Sequence, residues 1–317
     1  MGLYPKALTE YIALSGIPRS KGSKIFIVDT EQGDDDNNGQ GFERPLLTLA
    51  AAEDLCTANK NDVVLMVGRA TSDAPAAAIA WDKSYTHLVG MSADLPGMGQ
   101  RVRIVNTAAN DLATLFTLSG NGCIVKNVQF FDGKDKAEVG ACLLVSGSRN
   151  FLKNVFAAGM GDATASGPAT RAGSYSCKIT GAENFFEDST IGLDTIARSA
   201  ANAELIIAGA RNRFRRCDIR SWSVTAGKFL VAVDNSGGDL RDTIFDDVLF
   251  FNYTPNWANG IDNVFSMPVA GNSHYVILRG NCQLVGVNSG WADNLTHIYG
   301  GGPAPNAGFG LSVNPTT

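Results

Sequence analysis

The feature that most restricts what this chain can become is an internal repeat that starts near residue 115. Its unit is an apolar strand, a glycine turn and a second apolar strand. Residues 115–120 are followed by 124–130, 142–147 by 151–155, 177–181 by 185–191, 205–209 by 214–219, and 229–238 by 244–250. A looser sixth unit spans 265–285. The turn glycines are Gly120, Gly147, Gly181, Gly209, Gly238 and Gly271. Matching the second strands puts Lys126, Lys153, Glu187, Arg215 and Asp246 in one column, at offsets of 27, 34, 28 and 31 residues. Two or three short strands plus turns fill such a period when each repeat is one coil of a solenoid. Leucine-rich repeats would show an L-x-x-L-x-L signature, and helical repeats a 3.6-residue periodicity over ten or more residues. Neither is present, so the period predicts an all-β, single-stranded parallel β-helix.

In such a fold equivalent residues of successive coils stack about 4.8 Å apart. The first column then reads Lys126, Lys153, Glu187, Arg215, Asp246, and its neighbour Asn127, Asn154, Asp188, Arg216, Asp247. From the third coil onward the signs alternate in both, which stabilises by a few tenths of a kcal/mol to about 1 per pair. This inter-coil charge ladder comprises Lys153, Glu187, Asp188, Arg215, Arg216, Asp246 and Asp247. Val128, Val155, Ser189, Cys217 and Val248 form a column of small side chains expected to point inward.

Composition narrows the class further. The 317 residues are 44% hydrophobic and 18% charged, which supports a core and opposes intrinsic disorder. A formal charge of −5 argues against a surface built for nucleic acid or anionic lipid. No run of about 18 apolar residues is present, so no membrane span is expected. Nor do the first twenty residues show a basic stretch followed by an apolar one, so no secretory leader is expected. The six cysteines at 56, 123, 142, 177, 217 and 282 form no C-x-x-C pair and are read as buried free thiols of a reducing compartment. No cofactor is implied.

Three regions follow. Residues 1–24 form an N-terminal arm whose Tyr4, Ala7, Leu8, Tyr11 and Ile12 have helical spacing; Leu3, Tyr4, Leu8, Tyr11 and Ile12 are its candidate attachment residues. Residues 25–299 are the β-helix, and the Gly/Pro-rich 300–317 a tail. Pro45 opens a helical segment, 46–56, expected to cap the solenoid. Residues 157–175 and 192–204 interrupt the coils as surface loops.

The chemically suggestive patterns each have a structural reading. Asp34, Asp36, Asn38 and Gly39 match half of a calcium loop, but the twelfth position is Pro45 rather than a bidentate Glu, which favours a solvated turn. Carboxylate pairs for glycoside cleavage exist at Asp132/Asp135, Glu183/Glu187 and Asp246/Asp247, yet the ladder already explains several of these. His87, His274 and His297 are dispersed. Arg211, Arg213, Arg215 and Arg216 form a basic run among acidic neighbours. Trp222, Tyr253, Trp257 and Trp291 follow second strands and are expected to line one edge, as a glycan platform or a subunit interface.

The stretch Ile25–Val28, Asp29, Gly33, Asp34, Asn37–Gly39, Arg44, Pro45, Thr48–Ala52 and Asn61–Val64 resembles the opening of pectate-lyase-like right-handed β-helices. The resemblance, with the repeats, covers about residues 25–299 and implies right-handedness and the capping helix. The calcium-binding aspartates and arginine base of the lyases have no counterpart, so no catalytic residue is carried over. The arm, with Ser15 to Pro18, resembles those of tailed-bacteriophage structural proteins. That likeness implies a non-enzymatic virion protein made in the host cytoplasm. In that setting it is a trimeric capsid decoration protein, bound to the major capsid protein or another virion protein. The alternatives are a tailspike-like polysaccharide depolymerase or lyase, and an adhesin that binds host surface polysaccharide.

Overall fold

A computed structural model of the chain describes residues 16–92, 102–107, 112–133, 141–163, 167–200, 203–223, 227–234, 240–253, 260–268, 275–293 and 298–300. Its strands pair in parallel in three sheets of ten, seven and eight strands, here sheets 1, 2 and 3. Each full coil visits sheet 3, then sheet 1, then sheet 2, as in Tyr175–Ile179, Phe185–Glu187 and Thr190–Ile191. The chain is therefore a parallel β-helix. Its first coil is Ile79–Trp81, Thr86–Met91 and Arg103–Asn106, one turn earlier than the sequence repeat. That coil is hidden because the segment joining its last two strands is much longer than in later coils.

The columns fall in register as read from the sequence. Lys126 pairs with Lys153, Lys153 with Glu187, Glu187 with Arg215, and Arg215 with Asp246. Arg279 extends the alternation by one coil beyond the sequence reading. The core is one continuous apolar stack, with Phe186, Phe214 and Phe245 piled ring on ring at 5.1 and 4.7 Å. Val128, Val155, Ser189, Cys217 and Val248 point inward and are buried. All six cysteines are buried free thiols, and burial pushes those of Cys56 and Cys217 up to about 12.

Each long "second strand" of the repeat is in fact two strands with a bend. Asn127, Asn154, Asp188, Arg216 and Asp247 have φ between 51° and 59°, so one left-handed residue turns sheet 1 into sheet 2. Asn and Asp tolerate that conformation, and Asn154 Nδ2 donates to Asn127 Oδ1 at 2.9 Å across the coils. The turn from sheet 3 to sheet 1 is stacked too. Cys123 N donates to Asn150 Oδ1, Asn150 N to Asn184 Oδ1, and Asn184 N to Asn212 Oδ1, at 2.8–3.0 Å. A methyl group on Gly181 would overlap the Gly147 carbonyl oxygen, and one on Gly147 the Gly120 carbonyl. Glycine is therefore required there by close approach of the backbones. Gly238 and Gly271 lie outside the described residues.

The capping helix α1 is Leu49–Leu55, shorter than the 46–56 segment. Pro45 lies before it, because Leu46 bridges Val28 in extended conformation and Thr48 serves as N-cap, accepting from Ala51 N at 3.2 Å. Leu49 and Ala52 plug the N-terminal end of the core. The half-calcium turn supports this cap. Asp35 Oδ1 accepts from Leu47 N and Thr48 N at 2.8 and 2.9 Å, and Oδ2 from the Thr48 hydroxyl. The arm residues Leu3, Tyr4, Leu8, Tyr11 and Ile12, and the tail after Gly300, lie outside the described residues. No described helix is long and apolar enough to cross a membrane.

Candidate functional site

The charge ladder occupies the outer surface along the bend between sheets 1 and 2. Glu187 is its hub: Lys153 Nζ lies 3.4 Å from Oε2, Arg216 Nη2 donates to Oε1 at 2.9 Å, and Arg215 donates to the same oxygen. Burial raises the Glu187 carboxyl, but Arg215, Lys153 and Arg216 together outweigh it and hold it below the usual range. Arg279 beside Asp246 likewise holds that carboxyl low. These acids are ion-pair partners, which removes them as free catalytic groups. A second ladder, missed in the sequence, runs beside the internal asparagines: Glu183 takes Arg149 at 2.6 Å and Arg211 at 2.7 Å. The recurring spacing Gly147/Arg149/Asn150, Gly181/Glu183/Asn184 and Gly209/Arg211/Asn212 was the signal for it.

At the C-terminal end the ladder opens into a depression. From the second coil onward two residues lie between the last sheet 1 position and the first of sheet 2, as between Asp246 and Leu249; in the final coil three lie between Arg279 and Gln283. The extra residue sits at Gly280–Asn281, where Gly280 has φ 67° and a side chain would collide with the Asp247 carboxylate. Asn281 N donates to Asp247 Oδ1 at 2.7 Å. The result is a cavity of about 340 Å³ lined by Arg216, Asp218, Asp247, Leu249, Asn281 and Gln283.

Beside it lies an apolar floor on the outer face of sheet 2. Alternation in Asp218–Ser221, Leu249–Asn252 and Gln283–Val285 sends Ile219, Phe250 and Leu284 into the core. Asp218, Leu249 and Gln283 form one outward row, and Arg220, Phe251 and Val285 the next. Just beyond, Trp222 and Tyr253 meet edge to face at 5.2 Å, with Tyr253 45% exposed. The described part of the 192–204 loop lies beside this floor. Arg220 links Asp218 at 2.8 Å to Asp194 of that loop at 3.4 Å, and Arg198 N donates to the Trp222 carbonyl at 2.7 Å. Below, the Arg198 side chain is 1% exposed and faces the equally buried Glu204 at 3.8 Å.

The aromatic edge expected from the sequence is thus half assembled. Trp222 and Tyr253 come together, Trp257 lies outside the described residues, and Trp291 is a correction. It is 3% exposed and packs edge-on against Phe250, because its column lies at the inward-turned corner between sheets 2 and 3. Of the paired acids, Glu183, Glu187 and Asp246 are held in ion pairs. Asp132 is buried 3.2 Å from Asn106 Nδ2, and Asp135 is outside the described residues. Glycosidase chemistry needs one carboxyl kept protonated by its surroundings. Burial does raise Glu53, Asp73 and Glu204, but they lie at α1, at its N-terminus and in the corner, and none lines the depression. The outward row of sheet 3, Ala80, Thr117, Leu144, Lys178, Ile206 and Ala232, carries no carboxylate. His87 is a buried hydrogen-bonding residue, and His274 and His297 lie outside the described residues.

No known family profile matches the chain, and no curated protein matches its sequence. Solved structures do resemble it. The pectin methylesterase of Aspergillus niger is 11% identical, with 94% of this chain and 92% of that one aligned at a TM-score of 0.57. That of Erwinia chrysanthemi is 12% identical over 92% and 93% at 0.55, and that of carrot 12% over 94% and 88% at 0.52. Such likeness establishes the right-handed parallel β-helix, as implied by the chain's opening. These neighbours are carbohydrate-active β-helix proteins.

Proposed function

We propose that this chain is a non-catalytic, glycan-binding β-helix that holds a polysaccharide segment at the C-terminal end of sheet 2. The observation that carries this reading is the placing of a polar, carboxamide- and carboxylate-lined depression against the Phe251, Tyr253 and Trp222 floor. Aromatic faces accept the C–H face of a sugar ring while Asp218, Asp247, Asn281 and Gln283 take its hydroxyls, the usual division between apolar lining and a few orienting polar groups. The carbohydrate-active neighbours are consistent with it. In gels cast with bacterial surface polysaccharide, the protein should be retarded, and Tyr253→Ala should weaken retention about tenfold, as for a hot-spot aromatic. No new reducing ends or unsaturated sugars should form. Cleavage that disappears in Asp246→Asn or Asp247→Asn would instead establish the depolymerase reading.

A second reading concerns where such a body is displayed. Strand Ile25–Val28 lies at one edge of sheet 1 and Ile298–Gly300 at the other, so the described residues 16–24 join the solenoid at the end opposite the depression. That polarity favours a projecting virion protein, anchored through residues 3–12 to a major capsid protein or another virion protein, with the glycan site outermost. As a trimer of 33.4 kDa chains it should sediment at about 100 kDa; a 33.4 kDa species at micromolar concentration would exclude the trimeric decoration reading.

A further inference from the structure

Resting on the glycan-binding reading, we infer that the depression selects neutral, hydroxyl-rich sugars and rejects uronate polymers, because its cations are engaged within the protein while two carboxylates face the ligand. Arg216 could have been an anion receptor, yet its Nε donates to Asp188 Oδ1 at 2.7 Å and its Nη2 to Glu187 Oε1 and Asp188 Oδ2 at 2.9 and 3.1 Å. Arg220, the next cation, spans Asp218 and Asp194. The bidentate and bridging geometry fixes both guanidiniums on protein acids.

The acids are differently placed. Asp218 receives Arg220 on Oδ2, and Asp247 receives the Asn281 backbone N–H on Oδ1. Among the described residues no protein donor reaches Asp218 Oδ1 or Asp247 Oδ2. Each thus offers a carboxylate oxygen to a sugar hydroxyl, a charge-assisted bond for a neutral ring. A uronate carboxylate brought to the same place meets like charge at an open, solvent-exposed site, a repulsion that salt screens and that is strongest at low ionic strength. Asn281 and Gln283 add carboxamides able to donate and accept, which suits hydroxyls of either orientation.

The test is affinity electrophoresis of the full chain in gels containing galactan, dextran, mannan or polygalacturonate. Retention by at least one neutral polymer should exceed that by polygalacturonate tenfold or more at 50 mM salt. The Asp218→Asn/Asp247→Asn variant should narrow this ratio at least threefold, by weakening neutral binding, by admitting polygalacturonate, or both. Polygalacturonate bound as well as the neutral polymers, or a ratio unchanged in the variant, overturns the charge selection and leaves glycan binding standing. Retention by none of the four overturns the glycan-binding reading itself, and this inference with it.

Discussion

Arg198→Met is expected to destabilise the protein by about 3–5 kcal/mol, the range for breaking a buried ion pair from one side. Arg198 and Glu204 are each 1% exposed, and burial lowers the one and raises the other while each pulls its partner back. The guanidinium donates to the Phe229 carbonyl at 2.8 Å, and Glu204 Oε2 accepts from the Ser176 hydroxyl at 2.7 Å. Removing Arg198 leaves a carboxylate in the corner between sheets 2 and 3 with no cation. It also removes the side-chain bond to the Phe229 carbonyl, while the backbone bridge of residue 198 to Ser223 and its N–H bond to the Trp222 carbonyl remain. The double variant Arg198→Met/Glu204→Leu removes both charges and should recover most of the loss. Guanidinium denaturation followed by far-ultraviolet circular dichroism measures both. A loss below about 1 kcal/mol in Arg198→Met would show that the pair holds nothing.

The second large effect is a pH dependence centred on His87. Ile124 N donates to His87 Nδ1 at 3.1 Å, which leaves Nε2 to carry the proton and donate to Asn61 Oδ1 at 3.1 Å. The bond accepted by Nδ1 requires the neutral ring, and burial pushes its pKa down to about 4 from 6.5. The folded state therefore binds a proton less readily than the unfolded chain. The contribution, about 3 kcal/mol, is fully present above pH 6.5 and lost as the pH falls toward 4. His87→Gln keeps an uncharged donor and acceptor. Its stability relative to the native protein should improve by about that amount between pH 7.5 and 4; parallel curves would show that His87 is not the titrating group.

Both effects arise at positions that periodicity alone does not mark. The repeat was readable because every coil must present the same inward pattern, and Lys153, Glu187, Arg215 and Asp246 announced their stacking by alternating sign. The bend at Asn127 to Asp247 was not, since a left-handed residue inside an apolar run leaves the run looking like one strand. Trp291 looked like its neighbours by position after a strand, but the inward-turned corner reverses its direction. The depression depended on one inserted residue at Gly280–Asn281, a change invisible to a period averaged over coils. Arg198 sat in a loop read only as an excursion, and nothing local indicates that its partner is Glu204, the residue before the strand Leu205–Ile207.

The central claim, a glycan site without catalysis, is tested most directly by incubating the purified chain with the polysaccharide that retards it and assaying both events in one sample. Retention that depends on Tyr253, with no new reducing ends or unsaturated sugars after prolonged incubation, is the expected result. Release of fragments, abolished by Asp247→Asn, or retention unchanged in Tyr253→Ala, would contradict it.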